Sequence, residues 1–259
     1  ETDRIFLINS SNDKFEQRSI SYVPGLFKIF DEILVNASDN KQRDPRGMTE
    51  LRVDVDKDRN TISVYNNGQG IPITIHKDYQ IYVPELIFGQ LLTSSNYDDS
   101  QKRTVGGRNG FGAKLTNIFS KTFLVETCDG KQTYSQLFKN NMSDKGEPKI
   151  EKTPGTAAFT RITFSPDLAR FNMTELEDDI IALVKKRTYD VAGTCGKGLK
   201  VYYNKKVIGI KDFKSFCEMH LNQPGDLIYE VINDRWEVGI APSDGGATQV
   251  SFVNRISTL

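Results

Sequence analysis

Cysteine, histidine and long apolar runs are all scarce in this chain. Its 259 residues include 3 cysteines, Cys128, Cys195 and Cys217, which lie far apart and form no C-x-x-C pair. That pattern argues against a disulfide framework or a zinc site and suits a reducing compartment. The 2 histidines, His76 and His220, lack the spacing of metal ligands.

No stretch approaches the roughly 18 apolar residues that a membrane-spanning helix needs, and residues 1–4 do not resemble a signal peptide. Positive and negative charges balance, with 34 lysines and arginines against 34 aspartates and glutamates. A balanced charge creates no overall field that would favour nucleic acid or a membrane surface. Evidence of function must therefore come from local motifs.

The hydrophobic pattern predicts alternating strands and helices. The strands are predicted at 4–9, 16–23, 51–55, 62–64, 121–127, 132–138 and 159–164. Between the last two of these, the polar segment 139–154 is predicted to lack regular structure. Thr174 followed by Glu177 predicts a capping box that starts a helix. The pattern restarts after Ile210, so we expect one domain over 1–210 and the beginning of a second over 211–259.

The segment 27–40 is predicted to be a helix with two different faces. An apolar stripe recurs at helical spacing through Leu26, Phe30, Ile33, Leu34 and Ala37. On the other face Glu32 and Asn36 lie one turn apart, and Asp39 continues that face. These polar groups would suit either a solvated surface or a site that holds a water and a metal–phosphate complex.

Two glycine-rich loops favour a site. The segment 106–112 matches neither the P-loop nor the dinucleotide fingerprint, but it precedes a helix whose free N–H groups could meet an anion. The segment 66–70 follows a strand, and its glycines would let a flat ring approach the backbone. Between them, residues 93–104 are predicted to form a long polar loop of the kind that is usually functional or mobile.

The order of these motifs resembles the GHKL ATPases, which include the DNA gyrase B subunit, the ninety-kilodalton heat-shock chaperone and the histidine kinases. Within that group the chain is most similar to the ATPase regions of the eukaryotic type IIA DNA topoisomerases. The resemblance rests on Phe30–Ala37, Leu91–Asp99, Gly106–Lys114 and Ser251–Asn254.

The resemblance implies an α+β fold of the Bergerat type, a two-layer sandwich in which helices cover one face of a mixed sheet. It implies that the second domain is the start of an α/β transducer domain. It also implies that a segment before Glu1 and a transducer lysine beyond Leu259 are missing. We expect a fragment lacking them to bind ATP but to hydrolyse it poorly and dimerise weakly.

The resemblance also assigns roles. Glu32 would be the general base, and the Asn36 amide would bind Mg²⁺. Asn66 would read the adenine amino group, where most of the superfamily has aspartate. Nucleotide contacts would come from Asn36, Asn40, Asn66, Ser94, Ser95, Asn96, Arg108, Asn109, Gly110, Phe111, Gly112, Lys114 and Thr160.

The implied cofactors are ATP and Mg²⁺, and the implied partners are a second copy of the chain and, in the full-length enzyme, duplex DNA. ATP binding would close an N-terminal gate through which one duplex passes another, in the nucleus. Two alternatives stay open: a GHKL chaperone or kinase, and a nucleotide-binding regulatory domain without catalysis. A kinase would need a phosphoacceptor histidine on a dimerisation helix, a context that neither His76 nor His220 has.

Overall fold

The computed structural model describes residues 1–90, 111–243 and 245–258. The helices are α1 (Pro24–Arg43), α2 (Val83–Gly89), α3 (Gly112–Ile118), α4 (Asp178–Thr194) and α5 (Phe213–Glu218). The strands are β1 (Thr2–Asn9), β2 (Lys14–Ser21), β3 (Glu50–Asp56), β4 (Thr61–Asn66), β5 (Ser120–Cys128), β6 (Gln132–Lys139), β7 (Asp144–Lys145), β8 (Lys149–Lys152), β9 (Phe159–Pro166), β10 (Lys200–Tyr203), β11 (Lys206–Val207), β12 (Ile228–Asn233), β13 (Trp236–Ile240), β14 (Phe252–Val253) and β15 (Ile256–Ser257).

Nine of these strands form one sheet. The strand order is β11-β10-β3-β4-β9-β5-β6-β7, and β8 also pairs with β6. The sheet is mixed because β10 runs parallel to β3, whereas the other pairs are antiparallel. The predicted mixed sheet is therefore confirmed.

The two faces of the sheet differ because strand side chains alternate between them. The inner face carries buried apolar residues that pack beneath the helices, such as Val53, Val64, Phe123 and Phe164. The outer face carries a row of arginines and tyrosines: the guanidinium of Arg52 lies 5.3 Å from the ring centre of Tyr65. Helices on one face and polar side chains on the other make the predicted two-layer arrangement.

Two local predictions were wrong. The segment 139–154 contains the short strands β7 and β8, which pair with the edge of β6. Backbone hydrogen bonds to β6 hold these polar residues in strand conformation, and amino-acid composition does not reveal such pairing. Helix α4 begins at Asp178 after Glu177, not at a cap formed by Thr174. A true capping box occurs at α5, where Asp212 and Ser215 exchange hydrogen bonds.

The part of the chain after residue 210 forms small elements outside the large sheet. Within the described residues β12 and β13 form a two-stranded sheet, and β14 and β15 form another. Several apolar side chains of the β12–β13 hairpin are exposed, including Ile228 and Trp236. The domain division at this point stays a prediction. In the described part of the chain, no helix is both long and apolar enough to cross a membrane.

Candidate functional site

Helix α1 presents the first two candidate residues. Pro24 occupies its first turn, and the predicted apolar stripe is buried against the sheet. The Glu32 side chain is about a quarter exposed, and its Oε1 lies 2.7 Å from Lys28 Nζ one turn earlier. Asn36, one turn further on, is exposed. The helix therefore holds a carboxylate and a carboxamide beside each other on its partly exposed face.

The carboxylate of Glu32 lies against the start of α3. A Cβ atom built on Gly112 would come 1.9 Å from Glu32 Oε2, so no side chain fits at position 112 while Glu32 holds this position. Thr116 fastens the two helices together, because its hydroxyl donates to the Ile29 carbonyl oxygen at 2.7 Å. Glu32 thus faces the beginning of α3, on the helix-covered side of the sheet.

Lys114 lies in the first turn of α3 and is almost completely buried. Burial penalises the charged ammonium and lowers the pKa of Lys114 to about 8. A phosphate group near this lysine would favour the charged ammonium and so offset the free-energy cost of its lost hydration. Phe111 precedes the helix as its N-cap residue.

Asn66 ends strand β4 and is almost completely buried. Its carboxamide oxygen accepts hydrogen bonds from Asn40 Nδ2 at 2.8 Å and from the Gly68 amide at 3.2 Å. Asn40 Nδ2 also donates to the Gln69 carbonyl oxygen. α1 and the loop after β4 are therefore joined through two of the predicted nucleotide-contacting side chains.

The glycines of this loop are required by close packing. A Cβ on Gly68 would come 2.6 Å from Asn40 Nδ2, and one on Gly70 would come 1.7 Å from the Cys128 carbonyl oxygen. Cys128 ends strand β5, so the loop lies directly on the sheet. Glycine is the residue that permits such an approach.

Thr160 lies on β9 opposite Asn66 in the strand register. Its hydroxyl is 3.1 Å from the hydroxyl of Thr127, which also accepts a hydrogen bond from the Ile71 amide. Thr127 was missed by the sequence analysis. It occupies an inward-facing strand position after Phe123 and Val125, and a hydroxyl in that apolar alternation was the signal that could have found it.

Asp39 follows Glu32 and Asn36 on the same face of α1, but unlike them it is buried, and its Oδ1 accepts a hydrogen bond from Arg255 at 2.9 Å. Six other candidates lie outside the described residues, so the structure does not test them. They are Ser94, Ser95, Asn96, Arg108, Asn109 and Gly110.

Comparison with known proteins identifies the family to which the chain belongs. Residues 22–170 match the family described as histidine kinase-, DNA gyrase B-, and HSP90-like ATPase. DNA topoisomerase 2 of Pisum sativum is 53% identical over 257 residues, which cover 96% of this chain and 18% of that protein. DNA topoisomerase 2 of Caenorhabditis elegans is 53% identical over 266 residues, which cover 100% of this chain and 17% of that protein.

A solved structure agrees in fold. The ATPase region of Saccharomyces cerevisiae topoisomerase II superposes with a TM-score of 0.94 at 47% identity, covering 100% of this chain and 69% of that chain. The chain therefore belongs to the family of histidine kinase-, DNA gyrase B- and HSP90-like ATPases. Within that family it corresponds to the ATPase region of DNA topoisomerase II. It spans less than a fifth of the length of the full topoisomerases just named.

Proposed function

We propose that residues 32–160 form a Mg²⁺-dependent ATP site and that Glu32 is its general base. The observation that carries the proposal is the contact between Glu32 and Gly112. It places a carboxylate beside the start of the helix that holds Lys114. A triphosphate bound against that helix would meet backbone N–H groups and a lysine on one side and a proton acceptor on the other.

The residues present suit a magnesium ion. Asn36 offers an exposed amide oxygen one turn from Glu32, and Mg²⁺ prefers oxygen ligands. Since Mg²⁺ is usually held by few protein groups together with phosphate oxygens and water, one amide is a sufficient protein contribution. The bound ion would neutralise phosphate charge, while Glu32 accepts a proton from the attacking water.

Asn66 and Asn40 would act at the adenine end. The Asn66 oxygen already accepts two hydrogen bonds, from Asn40 and from the Gly68 amide. An adenine amino group would therefore replace the Asn40 donor, and the released Asn40 amide could turn toward the nucleotide. Thr160 lies beside Asn66 in the register and would contribute a hydroxyl to the same region.

The pH dependence of nucleotide binding tests the role of Lys114. Because the pKa of Lys114 is lowered to about 8, the free protein loses this charge as the pH rises above 8. A bound phosphate raises that pKa, so binding above pH 8 takes up a proton and becomes weaker as the pH rises. We expect about tenfold lower affinity for a non-hydrolysable ATP analogue at pH 9.5 than at pH 7.5.

The matched variant for this titration is Lys114→Arg, which keeps its charge throughout that pH range. Its affinity should stay nearly constant between the two pH values. The same loss of affinity in the variant and in the unchanged protein would assign the pH dependence to another group.

At the level of the whole protein, we propose that ATP binding closes a gate between two copies of the chain and that hydrolysis resets it while one DNA duplex passes through another. The proteins with similar sequences are named as DNA topoisomerases, which supports this activity. A nuclear location follows from the same proposal, and a fluorescent fusion of the full-length protein would test it.

Duplex DNA should raise the rate of ATP hydrolysis by the full-length protein, because a gate that responds to DNA couples the two ligands. The measurement is steady-state turnover with and without relaxed plasmid at saturating ATP and Mg²⁺, with analytical ultracentrifugation for the ATP-dependent dimer. Turnover that is identical with and without DNA, in a protein that stays monomeric with nucleotide, would contradict the gate and favour a chaperone or kinase of the same family.

A further inference from the structure

Two arginines join helix α1 to distant parts of the chain. Arg187 on α4 donates from Nε to Asp31 Oδ1 at 2.7 Å, and its Nη2 donates to the backbone carbonyl oxygen of Arg255 at 2.8 Å. Arg255 in turn donates from Nη2 to Asp39 Oδ1 at 2.9 Å. All four side chains are at least nine-tenths buried. We call this set, Asp31, Asp39, Arg187 and Arg255, the arginine clamp.

The clamp holds α1 at two points on either side of the candidate site. Asp31 and Asp39 are eight residues apart, which corresponds to about 12 Å along a helix. Glu32 and Asn36 lie between these points, and Asn40 follows the second one. Attachment at two separated points resists both sliding and rotation of the helix. The positions of the site residues therefore depend on the clamp.

One residue of the arginine clamp, Arg255, belongs to the hairpin that β14 and β15 form. Arg255 lies in the turn between β14 and β15, with φ at 67° after Asn254 at 50°. A turn with two positive φ angles favours glycine at its second position, so an arginine there is strained. Strained residues persist where surrounding contacts hold them and often mark functional sites. Here the contacts with Asp39 and Arg187 hold the strained residue.

The hairpin also has an apolar contact with the body of the protein. The Phe252 ring lies 5.9 Å from the Phe216 ring of α5, centre to centre, and Lys186 Nζ lies 5.9 Å from the centre of the Phe252 ring. The hairpin is thus fixed to α4 and α5 as well as to α1. Because Arg255 is hydrogen-bonded to Asp39, a displacement of α1 would move the hairpin, and a displacement of the hairpin would move α1.

We infer that Arg255 and Arg187 are positioning residues that couple the nucleotide site on α1 to the hairpin Phe252–Ser257. The inference rests on the proposed nucleotide site. If the position of α1 that suits the nucleotide is the position that the docked hairpin stabilises, then nucleotide binding must stabilise hairpin docking by the same factor. Neither arginine touches the nucleotide in this scheme.

The first test uses the unchanged full-length protein. Hydrogen exchange of backbone amides is measured with and without a non-hydrolysable ATP analogue and Mg²⁺. We expect slower exchange at residues 252–257 when the analogue is bound, although this hairpin does not belong to the site. Exchange at the β12–β13 hairpin, which has no clamp contact in the described structure, serves as the internal reference.

The second test uses Arg255→Asn, which removes the guanidinium but keeps a residue that tolerates positive φ. The matched control is Arg235→Asn, the same change at an exposed position in the turn of the β12–β13 hairpin. We expect the first variant to bind the analogue at least 5-fold more weakly and to lose the nucleotide-dependent protection of 252–257. The control should behave like the unchanged protein.

The outcomes separate positioning from simple stabilisation. A variant with lower thermal stability but unchanged affinity and unchanged protection would overturn the inference. If Arg255→Asn does not fold, the exchange data on the unchanged protein decide alone, and equal protection with and without analogue overturns it. Failure of the unchanged protein to bind the analogue would instead remove the proposed site, and this inference with it.

Discussion

Replacing Glu32 by glutamine is expected to stop ATP hydrolysis while leaving ATP bound. The glutamine amide has nearly the same size and can keep the contact with Lys28, but it cannot accept a proton from water. Loss of a general base commonly lowers turnover by about 10²–10⁴-fold. We therefore expect a loss of that size in the turnover number of the full-length protein, with a dissociation constant for ATP within about twofold of the original.

The control for this experiment is Glu126→Gln. Glu126 lies on the outer face of the sheet near Arg161, away from the helices, and its replacement should leave turnover unchanged. Residual turnover near the original rate in Glu32→Gln would show that another group activates the water. Tight ATP binding with no hydrolysis in the unchanged protein would instead favour a regulatory domain without catalysis.

Of the proposed variants, Arg187→Met is expected to lower the free energy of unfolding the most. The side chain of Arg187 is 3% exposed and that of Asp31 is 9% exposed, so the change would leave a buried carboxylate without its closest cation. Breaking a buried ion pair by removing one partner typically costs about 3–5 kcal/mol in the free energy of unfolding. The Arg255 carbonyl oxygen would lose a donor as well.

The measurement is urea unfolding of Arg187→Met beside Arg18→Met. Arg18 pairs with Asp179 at 3.4 Å, but both side chains are substantially exposed, and such pairs contribute about 0–1 kcal/mol. A double variant, Asp31→Leu with Arg187→Met, should recover part of the stability because no buried charge is left unpaired. Equal decreases in the free energy of unfolding of the two single variants would show that the buried Arg187–Asp31 pair stabilises the protein no more than the exposed pair does.

Local patterns were sufficient for much of the fold. The spacing of Leu26, Phe30 and Ile33 predicted a helix, and α1 covers that segment. The alternation in 51–55 and 62–64 predicted two strands, and β3 and β4 lie there as antiparallel neighbours. These predictions succeed because side-chain periodicity depends on neighbours within a few residues.

The sequence motifs likewise predicted that Glu32, Asn66 and the glycines of 66–70 belong to a nucleotide site. The structure adds what each of them touches. Glu32 meets Gly112, and Asn66 meets Asn40, and these pairings depend on how the loop and the helices pack. Periodicity gives the face of an element but not its neighbour.

What the sequence by itself determined is therefore the order of the main helices and strands, and, through its resemblance to a known family, the two-layer class. Only the tertiary structure decided that Asp39 is buried with Arg255, 216 residues away, and that Asp31 pairs with Arg187, 156 residues away. The burial that lowers the pKa of Lys114 was decided in the same way. The physical reason is that charge pairing and desolvation depend on distances in space, which local sequence patterns do not encode.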